Sequence, residues 1–114
     1  MKIENRIKKG QEFQSIIDNG ILYREETLSI YWIKNDLNHP RVGISVPTKS
    51  GNAVVRNKIK RQIRAILAHS LDFNEGIDMI IISRKRYDIN NFLATKKDLE
   101  SLIEKIGNHS EQKD

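Results

Sequence analysis

Cysteine is absent from the 114-residue sequence, and proline occurs only twice. Without cysteine the chain cannot form disulfide bonds, thiolate zinc sites or a cysteine nucleophile. Long apolar runs are also absent, since no stretch reaches the roughly 18 residues of a membrane span. Residues 1–10 carry charges where a signal peptide would need an apolar core. We therefore expect a cytoplasmic protein with no membrane partner, stabilised by side-chain packing.

Groups suited to catalysis or metal binding are scarce. The histidines lie thirty or more positions apart and show no metal-ligand spacing. The acidic residues form one tight group, Asp72, Glu75 and Asp78, which we interpret as a solvated turn. We therefore predict no catalytic residue and no metal ligand in the chain. The three histidines, each expected to be solvated, are His39, His69 and His109.

Charge is distributed unevenly along the chain, although 20 basic and 15 acidic residues give a net charge of only +5. Residues 1–70 hold 13 lysines and arginines against 6 acidic residues, whereas residues 71–114 hold 7 against 9. No acidic residue occurs from position 37 to position 71. A segment with charge of one sign favours an anionic partner. Its basic residues are Arg41, Lys49, Arg56, Lys58, Lys60, Arg61 and Arg64.

Hydrophobic periodicity predicts seven elements in the order α-β-β-β-α-β-α. The first three strands are expected to form an antiparallel meander, and the apolar run 79–82 predicts a central strand. We expect residues 1–107 to form a single domain and residues 108–114 to form a flexible tail after Gly107. The predicted elements, in chain order, cover residues 13–19, 21–24, 27–33, 41–46, 52–70, 78–83 and 91–107.

The helix predicted over 52–70 has one apolar and one cationic face. At 100° per residue, its apolar positions fall within an arc of roughly 120°, which must be buried. On the same wheel, Arg56, Lys60 and Arg64 follow one another at i, i+4 and i+8. A solvated face would normally mix both signs of charge, and like charges at this spacing repel. We therefore predict that the cationic face binds phosphate groups. The apolar positions are Val55, Ile59, Ile63, Ile66 and Leu67.

Aromatic residues make up only 6% of the chain, which limits the surfaces on which unpaired bases could stack. The first part of the chain offers Phe13, Tyr23, Tyr31 and Trp32. We expect Phe13 and Trp32 to lie mainly in the core. Tyr31 lies on the more polar face of its predicted strand, so we interpret it as a base-stacking residue.

Residues 41–64, with the sequence RVGISVPTKSGNAVVRNKIKRQIR, closely resemble the signature of the bacterial ribonuclease P protein family. The resemblance extends to Phe13-Gln14, Gly20, Tyr31, the strand over 78–84 and the last helix. It implies an α/β (α+β) sandwich with a four-stranded mixed sheet. It also implies a left-handed β-α-β crossover through the basic helix, against the usual preference.

The resemblance implies a protein subunit that assists endonucleolytic removal of the 5′ leader from precursor tRNA. The partners would be the catalytic RNA and precursor tRNA, with no DNA, and the RNA and its Mg²⁺ ions would carry the chemistry. The residues implied for binding leader RNA are Phe13, Ile17, Tyr31, Arg56, Asn57, Lys60 and Arg64. The residues implied for binding the catalytic RNA are Lys49, Gly51, Asn52, Lys58 and Arg61.

Three positions depart from the pattern of this family. Lys58 stands where a second arginine is usual, Thr48 where lysine is common, and Ile17 where an aromatic often occurs. A lysine cannot offer the planar, bidentate fork of arginine. The main alternative function is a non-catalytic ribosomal or structured-RNA-binding protein that uses the same helix. A protein-only nuclease would instead need clustered carboxylates for Mg²⁺.

Overall fold

The computed structural model describes residues 6–7, 10–70 and 76–112, and its elements follow the predicted order. None of the helices in this part of the chain is long and apolar enough to cross a membrane. A short 3-10 turn, Thr48–Ser50, precedes the second long helix. The elements are α1 Gln11–Asn19, β1 Ile21–Arg24, β2 Leu28–Lys34, β3 Arg41–Ser45, α2 Ala53–Ser70, β4 Ile77–Ser83 and α3 Phe92–Gln112.

The four strands form one mixed sheet in the order β1-β2-β4-β3. β1 pairs with β2 and β2 with β4 in antiparallel fashion, whereas β3 pairs with β4 in parallel. The predicted central position of β4 is confirmed, and Met79, Ile80 and Ile81 are fully buried. The predicted antiparallel meander is wrong at its third strand. β4, which is buried on both faces, pairs with β2 in place of β3, so β3 lies at the edge of the sheet.

Helices cover both faces of the sheet, as the alternation of side chains along a strand requires. On one face, α1 packs through Phe13 and Ile16 against Ile80. On the other face, the apolar stripes of α2 and α3 share one cluster with the sheet, including Met79 and Ile81. The sandwich predicted from the family resemblance is therefore observed, and the handedness of its β3-α2-β4 crossover stays a prediction.

Asparagine side chains cap the first turns of the two long helices. The Asn52 Oδ1 accepts a hydrogen bond from the Val55 N–H at 3.0 Å, and the Asn91 Oδ1 accepts one from the Ala94 N–H at 3.2 Å. Each oxygen satisfies one of the N–H groups that a helix leaves free in its first turn. α2 therefore begins immediately after the loop that contains Gly51.

The end of α3 was predicted incorrectly, since the helix continues through Gly107 to Gln112. Gly107 is not among the glycines with positive φ in the described chain, so it does not form the left-handed cap that ends many helices. His109 was expected to be solvated in a tail. Its ring instead lies 5.1 Å from the Trp32 ring, and its Nδ1 lies 3.1 Å from the Tyr23 Oη. These contacts hold residues beyond Gly107 against the sheet.

Candidate nucleic-acid interface

The two faces of α2 are those that the sequence predicted. The side chains of Ile59, Ile63, Ile66 and Leu67 are buried, and Val55 is half-buried. The polar side chains form two lines, which we call the inner and outer lines. The inner line is half-buried and consists of Arg56, Lys60 and Arg64. The outer line is exposed and consists of Asn57, Lys58 and Arg61.

The cations of α2 lack acidic partners within the described part of the chain. The ion pairs found there involve Arg41 and Lys105, so none of them neutralises α2. In addition, the Nε atoms of Arg56 and Arg64 are buried without any hydrogen-bond partner. A buried donor left unpaired costs about 1–3 kcal/mol, which an incoming acceptor can offset. The inner line therefore offers positive charge that no described acidic residue neutralises to an anionic ligand.

The sheet face covered by α1, here called the α1 face, carries the predicted base-binding side chains. Phe13 is 8% exposed and packs with Ile16 and Ile80. Ile17 and Tyr31 are half-buried against the same cluster. Phe13 is therefore mainly a packing residue, as expected from the sequence, whereas Ile17 and Tyr31 remain accessible to a ligand.

A glycine allows α1 to approach this face closely. A Cβ atom at Gly43 would lie 2.8 Å from the Phe13 Cε2 and 2.9 Å from the Ile80 Cδ1. Atoms this close would overlap, so any side chain at position 43 would force Phe13 or Ile80 to shift. Gly43 thus allows Phe13 of α1 to pack closely on β3 and β4.

The strand register shows which neighbouring residues remain open on the α1 face. Ile82 is aligned with Ser29 of β2 and Ser45 of β3, and Arg24 of β1 is aligned with Ser29. In this row Ile82 and Ser45 are half-buried and Arg24 is exposed. Sequence reasoning missed this row because its members become neighbours only through long-range strand pairing.

Arg41 does not belong to the free cationic surface, although it lies within the segment of the sequence that has no acidic residue. Its guanidinium group forms ion pairs with Asp78 of β4 and with Glu12 of α1, so its positive charge is neutralised within the protein. These contacts raise the pKa of Arg41 above its ordinary value, chiefly through the hydrogen bonds to Asp78. Asp78 also accepts a hydrogen bond from Asn35 at 2.7 Å. It is therefore not a solvated turn residue, while Asp72 and Glu75 lie outside the described residues.

The residues predicted to contact leader RNA fall into two layers of the sandwich. Phe13, Ile17 and Tyr31 belong to the α1 face, whereas the apolar stripe of α2 packs on the opposite face. β3 is the edge strand between them, with Val42 packed on the α2 side and Gly43 beneath Phe13. A ligand that contacts both sets must therefore pass over the β3 edge.

The segment before α2 presents Lys49, Gly51 and Asn52 to solvent. Gly51 has φ = 146°, a conformation that side-chain-bearing residues rarely adopt. A Cβ there would also lie 3.0 Å from the Val55 side chain. Gly51 is thus required by the local backbone, and the loop and helix start together offer N–H groups to phosphate.

Similarity to known proteins identifies the family. The model of the family described as Ribonuclease P matches residues 1–107. The chain belongs to the ribonuclease P protein family. A ribonuclease P protein component of Mesoplasma florum is 43% identical over 90% of this chain and 96% of its own. That of Streptococcus agalactiae is 37% identical over 94% and 98%.

Solved structures of ribonuclease P proteins share the fold. The Staphylococcus aureus protein superposes with a TM-score of 0.80 at 36% identity, covering 88% of this chain and 93% of that one. The Thermotoga maritima protein gives a TM-score of 0.75 at 30% identity, covering 85% and 93%. The fold class and family membership expected from the resemblance are therefore confirmed.

The described residues contain no group of three histidine, aspartate or glutamate side chains that could hold a metal ion. The one well-placed carboxylate on the α1 face, Asp78, is already paired with Arg41. We therefore assign no metal ligand to this part of the ribonuclease P protein, and we derive no chemical step from a metal held by it.

Proposed function

We propose that this chain is the protein subunit of the endoribonuclease ribonuclease P and acts in the cytoplasm on precursor tRNA. The observation that carries the proposal is the inner line of α2, where Arg56, Lys60 and Arg64 have no ion-pair partner among the described residues. Phosphate oxygens are charged acceptors that suit such cationic side chains. RNA is the partner whose backbone supplies them at regular spacing.

The 5′ leader of precursor tRNA would bind as a single strand on the α1 face. Tyr31 offers a half-exposed ring on which an unpaired base can stack, and Ile17 adds an apolar contact beside it. As the strand passes over the β3 edge, its phosphates would meet the inner line of α2. Phe13 contributes mainly by shaping this surface, while Asn57 extends the polar contacts.

The catalytic RNA would contact the loop before α2 and its outer line. Lys49, Gly51 and Asn52 lie at the helix start, and Lys58 and Arg61 point outward. If the six basic side chains from Lys49 to Arg64 all met phosphates of the leader or the catalytic RNA, log K of the whole complex would fall with log salt at a slope of roughly −4 to −5. This contact would supply affinity, and the single-strand site would supply selectivity.

The chemistry would be carried by the RNA subunit and its Mg²⁺ ions. Such ions activate water and stabilise a leaving oxygen. The side chains described above would bind and position RNA, and none is assigned as an acid, base or nucleophile. Family membership does not favour the alternative of a ribosomal or structured-RNA-binding protein.

Comparison of two ligands tests the leader assignment. In the assembled holoenzyme, Tyr31→Ala and Arg64→Gln should each weaken precursor tRNA binding about tenfold, because each removes one stacking or phosphate contact. Binding of mature tRNA, which has no leader, should stay unchanged. Lys34→Gln removes an exposed charge outside the site and serves as the control. Equal losses for both tRNAs would rule out the leader assignment.

A further inference from the structure

A cavity of about 640 Å³ lies at the carboxyl ends of the two parallel strands, away from the α1 face. It is bounded by the loop after β3, the first turns of α2 and the segment after β4. Ligands of open sheets commonly bind outside the carboxyl ends of parallel strands. The volume also falls within the range of about 300–1,000 Å³ that is usual for small-ligand sites. Its apolar wall consists of Pro47, Val55, Ile59 and Ile89.

One residue that lines this cavity has a buried hydroxyl group without a hydrogen-bond partner. Ser83, the last residue of β4, lines the cavity and is only 3% exposed, and its Oγ has no hydrogen-bond partner. Ser83 alternates with Ile81 and Met79, so it belongs to the sheet face that packs against α2. A buried hydroxyl with no partner is unfavourable in the free protein. A ligand with a polar edge would satisfy it.

The rim of the cavity is predominantly cationic. Lys49, Arg84 and Lys85 line it, against the single carboxylate of Asp88. That carboxylate is already engaged, since its Oδ1 accepts a hydrogen bond from the Asn90 N–H at 2.9 Å. Arg84 is held in place by donating from Nη1 to the Glu25 carbonyl oxygen at 2.6 Å. The rim therefore favours an anionic group.

Tyr87 adds a fixed aromatic ring to the cavity. Its hydroxyl donates to the Gln62 Oε1 at 2.8 Å, and Gln62 in turn donates to the Ile89 carbonyl oxygen at 2.9 Å. Burial raises the pKa of the Tyr87 hydroxyl. The ring and the segment behind it are thus positioned before any ligand arrives.

We propose that this cavity binds one unstacked nucleotide of the RNA partner. The base would lie against the apolar wall, its polar edge would bond to the Ser83 hydroxyl, and its phosphate would meet Lys49 and Lys85. A nucleotide combines the three properties that the lining requires: apolar faces, a polar edge and an attached anion. The assignment of this nucleotide to RNA rests on the proposed function. The ability of the cavity to bind a nucleotide does not depend on that function.

Titration of the isotope-labelled protein with adenosine 5′-monophosphate tests the chemistry by NMR. Saturable shifts are expected at amides of residues 47–50 and 83–89, with weaker effects from adenosine or inorganic phosphate alone. Ser83→Ala should weaken binding about fivefold through loss of one hydrogen bond. Lys85→Gln should weaken it similarly, while Lys34→Gln should not. No saturable shift in these segments, or equal binding of phosphate alone, would overturn the proposal.

Stability and RNA affinity complete the test. Ser83→Ala should unfold at the same or a higher urea concentration, because it removes an unpaired buried hydroxyl. The affinity of this variant for the catalytic RNA should fall. An unchanged affinity would refute the proposal that the bound nucleotide belongs to RNA. Binding of the mononucleotide does not depend on tRNA cleavage, so failure of this proposal and failure of the proposed function give separate results.

Discussion

The guanidinium group of Arg41 forms two parallel hydrogen bonds to the carboxylate of Asp78, from Nε to Oδ1 at 2.9 Å and from Nη2 to Oδ2 at 2.7 Å. The two residues are register partners on adjacent parallel strands. The same guanidinium reaches Glu12 of α1 with contacts of 3.0 and 3.2 Å. One side chain of the edge strand therefore fixes both the strand pairing and the position of α1.

Loss of the Asp78 carboxylate should destabilise the fold strongly. The Asp78 side chain is 8% exposed, and Asp78→Ala would leave Arg41 with only its more exposed partner. Breaking a buried ion pair costs about 3–5 kcal/mol. We expect a loss of about 3 kcal/mol in urea unfolding, since Glu12 remains. Glu12→Ala is the control, because its side chain is 54% exposed and should cost less than about 1 kcal/mol. Equal losses of unfolding free energy in the two variants would show that Asp78 is no more important to the fold than Glu12.

Gly43→Ala should displace α1 from the sheet. The added Cβ would overlap Phe13 and Ile80, and overpacking of this kind costs about 1–3 kcal/mol. Precursor tRNA binding should weaken as well, because Phe13 shapes the α1 face. Gly107→Ala is the matched change, since its Cβ meets nothing within 4 Å inside α3. It should stabilise the protein by up to about 1 kcal/mol. Similar unfolding midpoints for both variants would count against the close packing of α1.

Glu25 should make stability depend on acidic pH. Its Oε2 accepts hydrogen bonds from Lys105 and Ser101, each at 2.9 Å, and these contacts lower its pKa, with Lys105 the larger cause. Because this pKa is lowered in the folded protein, ionised Glu25 contributes fully to the free energy of unfolding above the ordinary glutamate pKa of about 4.3. That contribution is lost as the pH falls through the pKa of Glu25 in the folded protein. Glu25→Gln should therefore be less stable than wild type at pH 7 but equal to it well below pH 4. Glu26→Gln is an exposed neighbouring control. A difference that persists undiminished in acid would exclude this mechanism.

His109 should stabilise the sheet from the last turns of α3. Its ring packs edge-on against Trp32, which is 1% exposed, and it pairs with the Tyr23 hydroxyl. Aromatic pairs of this kind contribute about 0.5–1.5 kcal/mol. We expect His109→Ala to lower the free energy of unfolding by about 1 kcal/mol, whereas exposed His69→Ala should change it little. If the two variants unfold alike, the end of α3 behaves as the tail that the sequence suggested.

Local signals explain why some features were predictable from sequence. The two faces of α2 depend on residues within four positions of each other, so periodicity revealed them. The placement of β3, the pairing of Arg41 with Asp78 and the contact of His109 with Trp32 join distant positions. No local pattern encodes these partners. For the same reason, the sequence predicted roles in RNA binding for Tyr31 and the inner line but not their separation into two layers.

The most direct test of the account is reconstitution with a bacterial catalytic RNA and precursor tRNA. At a Mg²⁺ concentration too low for the RNA to act alone, adding this chain should restore cleavage at the 5′ end of the mature tRNA. A variant with Arg56, Lys60 and Arg64 changed to glutamine should restore much less, although it remains folded. Failure of the wild-type chain to stimulate cleavage under these conditions would contradict the central claim.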